Sequence, residues 1–284
     1  ADRRHHGRVG DGSRRTCLAE SRTTTIAEAL NDLGDIELEG MARFFGGSEH
    51  VTPEEFVQYV GYLARNPILR AWGWAPAVSK AEAERFTAEA RAAGHAKFTI
   101  WQQGRDGKRN AAAVRAWRYP LQYTVCGACE QAMRGYDLGS EPRYRAVLEE
   151  AAETGLTAAV EAITPLAESG NMREVLAVRP VFRGGNRAHL QGYVLAILRV
   201  QTLLEAGGRD DVTCMELSVL DLAGRSEPLG TTGRTAGQTA KAFSLTRPVF
   251  VFGNVFAVTA YADEGFYRVN PARAAWMTLL TGCC

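Results

Sequence analysis

The chain has 284 residues, 46% of them hydrophobic, enough to bury one large core or two modest ones, and more than one folding unit is expected. Its 33 basic and 32 acidic side chains nearly cancel, which argues against a global field for nucleic acid or an acidic membrane surface; the basic start "ADRRHHGRVGDGSRR" is a local exception. The chain begins with Ala and holds no run of about 18 apolar residues, so it reads as an excised or mature segment without signal peptide or membrane span. Its end, "PARAAWMTLLTGCC", reads as a chain stopping just before a membrane helix.

After a basic tail over 1–23, expected to be disordered, Ile26, Leu30, Leu33, Met41 and Phe44 recur at helical spacing and predict a long amphipathic helix over 24–46, weakened by Gly34 and Gly40. "TPEE" at 52–55 is a capping box with Pro53 at the first helical position; Phe56, Val57, Val60 and Leu63 form one face, and "RNP" at 65–67 ends the helix. Trp72 and Trp74 near Pro76 read as packing at a helix junction. Ser79 and Glu82 repeat the capping pattern and open a helix that closes at Gly94, so three helices are expected before the first strand. "KFTIW" at 97–101 and the turn "GRDGK" predict a hairpin. "WRYPLQYTV" at 117–125 predicts an edge strand or one bulged at Pro120.

Ser140 is the expected N-cap of a helix whose face carries Tyr144, Val147, Leu148, Ala151 and Ala152 and which Gly155 closes. Strands are expected at about 158–166, 173–182 and 190–199, in an antiparallel sheet because they cluster after one helix. From Leu203 the pattern restarts with the strand "CMELSVLDLAG", a hairpin turning at Gly253-Asn254, and a helix from "NPARAAWMTLL".

Catalytic groupings are sparse in this sequence. Cys126 and Cys129 in "VCGAC" are compatible with a redox pair, half a zinc site or a small disulfide loop, and the pair motivates the alternative reading of a thiol enzyme. His5, His6, His50, His95 and His189 sit in no recognisable motif, and "GTTGRTAGQTAK" lacks the ending of a phosphate-binding loop and reads as a Gly-rich surface loop. The acidic pairs Glu149-Glu150 and Asp210-Asp211 read as solvated faces. No basic stripe runs between aromatic residues, so nucleic acid is not an expected partner.

Taken together, "EEFVQYVGYLARNPILRAWGWAPAV", "RYPLQY", "GYDLGSEPRYRAVLEEAAETG" and "VLAVRPVF…LQGYVLAILRV" resemble a CHASE domain, the extracytoplasmic sensor module of many histidine kinases and nucleotide-cyclase-type signalling proteins. "RPVFVFGNVFAVTAYADEGFYRVNPARAAW" looks like the membrane-proximal part of bacterial members. The resemblance implies an α+β fold with a stalk helix and helical cap (24–78), a membrane-distal PAS-like unit that holds a small-molecule ligand (79–204), and a membrane-proximal PAS-like unit (205–284). It also implies flanking transmembrane helices and a cytoplasmic output domain such as a histidine kinase or diguanylate cyclase. No cofactor, metal or catalytic step is expected, and a homodimer through the 24–46 helix would cover its apolar seam.

In the plant cytokinin receptors of this family an Asp before the central helix and a Thr on the strand after it bind the ligand. By count these positions fall near Ala128 and Val160, which lack the required side-chain groups, and a shift of one residue brings in Cys129 or Glu161; cytokinin is disfavoured. Arg179 matches a pocket-lining position and, facing inward, would suit a carboxylate or phosphate; facing outward it is an edge-strand Arg in solvent. Tyr119 and Tyr123 are expected on one side of their strand, as pocket walls or as core. Leu195 completes the expected ligand contacts: Tyr119, Tyr123, Ala128, Val160, Glu161, Arg179 and Leu195. Asp137 in "GYDL" is expected to stabilise the entry of the following helix by its charge.

Overall fold

The structure, a computed structural model, describes residues 6–126, 129–163, 166, 173–207, 213–220, 225–232 and 244–262. Outside them lie Ala128, the Asp210-Asp211 pair, most of the Gly-rich loop and the expected terminal helix. Helix α1 spans His6–Asp32, a π-helical turn follows at Leu33–Glu37, and α2 covers Leu38–Gly46. The expected long helix is present and starts earlier, inside the segment expected as a disordered tail. Glycines 7, 10 and 12 count against helix by propensity, but extending an existing helix is far easier than nucleating one. The π turn falls where Gly34 weakens the ladder.

Helix α3 is Pro53–Val60, with both halves of the Thr52–Glu55 capping box formed. The next element departs from expectation. Residues Leu69–Pro76 form strand β1, followed by β2 (Val78–Ser79) and only then α4 (Ala83–Ala92). Trp72 and Trp74 therefore belong to a strand, and a strand precedes the third expected helix. Alternation gives the reason: Ala71 and Ala75 point to one core, Trp72 and Trp74 to the other side, and all four are buried.

The hairpin of β3 (Trp101–Gln103) and β4 (Arg109–Ala111) turns through 104–108 as expected, although Lys97–Ile100 lies before the strand. Pro120 divides the next expected strand into β5 (Trp117–Arg118) and β6 (Tyr123–Val125). A short α5 (Glu130–Met133) and a 3-10 turn (Leu138–Ser140) lead to α6 (Pro142–Thr154). Its N-cap is Glu141 rather than Ser140, and Gly155 closes it at φ 73°, a left-handed conformation that glycine adopts without a Cβ penalty. Strands β7 (Ala158–Glu161), β8 (Glu174–Phe182) and β9 (Leu190–Arg199) and helix α7 (Val200–Ala206) follow.

These elements build one compact unit from residues 29–202 with 250–254. Its PAS-like antiparallel sheet has the order β6-β1-β9-β8-β7, with β1 interior between β6 and β9. Residues Tyr193, Leu195 and Ile197 of β9 and Leu176 and Val178 of β8 face α6, packing with Tyr144, Val147, Leu148 and Ala151. The opposite sheet face meets α2, where Phe45 stacks on Trp74 at 4.2 Å. The sheet is thus covered on both sides, which explains why β8 and β9 read as nearly continuous apolar runs. Arg70 and Glu174 form a buried ion pair at 2.7 Å.

The second unit groups α1 through Glu28 with residues from Leu203 and a second antiparallel sheet. Its strands are β10 (Thr213–Leu220), β11 (Ser226–Thr231), β12 (Ser244–Val251) and β13 (Asn254–Ala262), in the order β11-β10-β13-β12. Met215, Leu217, Phe256, Val258 and Ala260 are its buried strand residues. The β12–β13 turn is Phe252-Gly253, one residue earlier than expected, with Phe252 at φ 58° and Gly253 at φ 70°.

Candidate functional site

In the first unit, an open cleft of about 1030 Å³ lies where β1 runs out at Trp74 and Pro76. Phe45, Trp74, Trp117, Tyr119 and Tyr123 supply aromatic surface, with Gln122 among them. On the α4 side one Arg stands between two carboxylates. Glu82 accepts hydrogen bonds from Ser79 Oγ at 2.6 Å and Ser79 N at 3.4 Å, and Arg85 lies 3.5 Å from Glu82 and 3.6 Å from Glu89. The bonds from Ser79 hold the Glu82 carboxyl below its ordinary value. The β8–β9 loop brings Arg183 and His189 to the other wall, its neck closed by a bond from Arg183 N to the His189 carbonyl at 3.0 Å.

Tyr119 and Tyr123 both line this cleft, although the break at Pro120 leaves Tyr119 in the connection between β5 and β6 and Tyr123 on β6. The Tyr119 ring meets the edge of Tyr193 at 5.1 Å. Tyr123 pairs with Trp74, packs against Phe56 and donates its hydroxyl to the Val51 carbonyl at 3.1 Å. The other expected contacts lie elsewhere. Leu195 is buried between Gly73 and Val178 in the α6-side core, and Val160 packs against that core from β7. Glu161 faces Arg173 at 3.4 Å and Arg143 at 3.8 Å. Arg179 pairs with Glu39 of α2 and donates to Thr157 Oγ1 at 3.1 Å, beside a cleft of about 370 Å³. The guanidinium that would meet an anionic ligand is already met by Glu39, and the Arg is neither solvent-facing nor unpartnered. Ala128 lies outside the described residues.

Between α6 and the sheet, tyrosines fill the space. Tyr193 donates to the Leu148 carbonyl at 2.8 Å, and the Tyr144 hydroxyl donates to the Ile163 carbonyl at 2.9 Å while accepting from Ile163 N at 2.7 Å. Burial pushes the Tyr136 phenol up to about 12 and raises those of Tyr144 and Tyr193 as well, so all three remain neutral at physiological pH. Asp137 is fully buried rather than displayed at a helix entry. Its Oδ1 accepts from Tyr119 N at 2.9 Å and Gly139 N at 3.1 Å, and Oδ2 lies 3.2 Å from Arg115. It thereby fixes the backbone beneath Tyr119. Cys126 and Cys129 form a disulfide.

Trp74, Gln122, Arg183 and His189 escaped the sequence reading of this site. The alternation in "LRAWGWAP" was an available signal for the first; the loop residues carried none, because only strand pairing brings them to the cleft. Among the described residues no group of three or more His, Cys, Asp or Glu could hold a metal ion, and no helix is long and apolar enough to cross a membrane.

A family model described as the CHASE domain matches residues 49–230. No curated protein matches the chain in a sequence comparison. Solved structures similar to it include Methyl-accepting Chemotaxis protein X, at 12% identity over 91% of this chain and 99% of that one, with a TM-score of 0.45. The periplasmic sensory domain of the Campylobacter jejuni chemoreceptor Tlp1 is 10% identical over 89% and 94%, TM-score 0.47. The ligand-binding domain of the Pseudomonas aeruginosa PAO1 amino acid chemoreceptor PctC, solved in complex with GABA, is 13% identical over 88% and 96%, TM-score 0.42.

Proposed function

Because this chain belongs to the CHASE domain family, an extracytoplasmic sensor family, we propose that its sensing site is the aromatic cleft at the end of β1. The observation that carries this reading is the cleft itself: about 1030 Å³, floored by Trp74, Tyr119 and Tyr123 and open to solvent. It suits a small molecule with a flat apolar body that lies against the rings, with polar groups reaching Gln122, Arg183 or His189. Tyr119 and Tyr123 are the ligand contacts in this proposal. Arg179, Glu161, Val160 and Leu195 support the sheet around it, and no chemistry is performed on the ligand. In this proposal the ligand-binding unit is 29–202 with 250–254, so the boundary expected at 78 moves back to include α2 and β1, and the unit from residue 203 onward takes the membrane-proximal role.

Ligand binding shifts the protein between two arrangements only to the extent that the ligand prefers one of them. In this proposal the output is a cytoplasmic kinase or cyclase domain of the same protein, beyond a transmembrane helix of the inner or plasma membrane. The Cys126–Cys129 disulfide supports an oxidising compartment. The seam residues Ile26, Leu30, Leu33 and Met41 are buried within the chain itself, so the proposed homodimer along the stalk uses the outward Ile36 and Leu18, which are 64% and 39% exposed.

A thermal-shift screen of metabolites against the protein tests the reading. A specific ligand stabilises by about 2.7 kcal/mol at a hundredfold excess over its Kd. Trp117, half exposed on the cleft wall, can be replaced by Ala without disturbing the core. Loss of the shift in Trp117→Ala and Arg183→Ala supports the cleft, and an undiminished shift in both removes it.

A further inference from the structure

A second pocket, of about 440 Å³, lies away from the cleft, between the α4–β3 connection, β4 and α5. Its charged lining residues are Lys97, Arg109 and Arg134, with His95 beside them, and no carboxylate is among the lining residues. Glu130 pairs with Arg134 from outside the pocket lining, so among the described residues Lys97 and Arg109 are the lining cations without a carboxylate partner, and their repulsion is relieved when an anion or solvent screens them.

Arg109 and Arg134 are held in place by the fold. The Arg109 guanidinium lies flat over the Trp101 ring at 4.3 Å and donates to the Ala132 carbonyl at 2.5 Å and the Gln131 carbonyl at 3.4 Å. Arg134 contacts His95 Nδ1 at 2.5 Å and donates to Glu130 Oε1 at 2.5 Å. Its buried Nε has no hydrogen-bond partner. The Trp101 indole donates to the Arg134 carbonyl at 2.8 Å, tying the aromatic platform to the strand-to-turn segment that carries Arg134. His95, lowered from its ordinary value by burial first and by the Arg134 charge second, is neutral and presents its ring nitrogen as the acceptor that aims Arg134. Lys97 is exposed at the rim and free to fold over a ligand.

We propose that this pocket is an anion-binding site for a small oxyanion of two or more negative charges, held by Lys97, Arg109 and Arg134. Planar guanidinium forks on fixed stems with one mobile ammonium suit a phosphate group or a polycarboxylate, the first through its tetrahedral oxygens and the second through paired carboxylates. An anion seated here also lies against His95 and changes the field at its ring, so occupancy has a signature at that imidazole.

The test titrates inorganic phosphate and, separately, citrate into the protein at constant ionic strength, reading calorimetric heats and the His95 ring resonances. Binding is expected for at least one anion, with a shift of the His95 resonances. Lys97→Glu and Arg109→Gln should each weaken it about tenfold or more, while Trp117→Ala in the cleft leaves it unchanged. Stronger binding of phosphate identifies a phosphorylated ligand, and stronger binding of citrate a polycarboxylate. Absence of binding by both anions, or binding that is indifferent to both pocket variants, overturns the site, whatever the outcome of the metabolite screen at the cleft.

Discussion

Replacing Asp137 separates two roles that its position combines. In Asp137→Ala the backbone N–H groups of Tyr119 and Gly139 lose their acceptor, at 2.9 and 3.1 Å in the native chain, and Arg115 loses its partner at 3.2 Å. An orphaned buried N–H costs about 1–3 kcal/mol; Gly139 N is buried and Tyr119 N partly so, which sums to about 2–5 kcal/mol. In Asp137→Asn the side-chain carbonyl still accepts both N–H bonds, and the lost contact with Arg115 is offset by relief from burying a charge, so the loss is smaller than in Asp137→Ala. Urea unfolding with an unchanged m-value measures both. Equal losses for the two variants, or a loss below about 1 kcal/mol for the Ala variant, refute the account of the side chain as a backbone acceptor. The same residue sets a pH dependence. Burial lifts its carboxyl above the ordinary 3.8, outweighing the two N–H bonds and Arg115. The folded state then holds the proton more tightly than the unfolded one. Its contribution is full below pH 3.8 and is lost as pH rises through the folded value. The stability difference between wild type and Asp137→Asn should therefore change with pH across that window and be flat above it.

Three further outcomes are expected. Thr52→Ala removes one half of the capping box on α3 and should cost about 0.5–2 kcal/mol, seen as a lower urea midpoint. Gly192→Ala puts a Cβ against the Ala75 carbonyl and Pro76 backbone at φ 152°, and should destabilise by about 3 kcal/mol or more, measured by thermal unfolding; a near-neutral result contradicts the β1–β9 register. Arg70→Met removes the 2.7 Å ion pair to buried Glu174 and should cost about 3–5 kcal/mol, with the Arg70→Met/Glu174→Leu double variant losing less than the single one in a double-mutant cycle.

Features with local causes were legible in the chain. The Thr52–Glu55 box, the Gly155 stop after α6 and the apolar strand run of Leu190–Arg199 each depend on residues within a few positions, and each stands in the structure as expected. The motifs of the family are legible for the same reason, since they are short runs in a set order. The interior strand β1 was not, because a short apolar run flanked by Pro reads equally well as a helix junction until its partners are known. Asp137 was legible only as a charge near the helix entry; its three partners come from Arg115, Tyr119 and Gly139 folded around it.

Arg179 illustrates the limit most directly. Strand alternation placed it on one face, but whether that face meets a ligand, solvent or protein depends on Glu39, far away in sequence on α2. The aromatic cleft and the cationic pocket are of the same kind. Tyr119 and Tyr123 were visible as candidates in one segment, whereas Trp74, Arg183 and His189 join them only when β1 pairs between β6 and β9. Sequence by itself determined most of the elements, the two-sheet α+β class and the family, because backbone propensity and side-chain periodicity act over a few residues. Which charges meet and which rings share a wall was decided by tertiary structure, because Coulomb and packing energies depend on distance in space between residues that the chain keeps far apart.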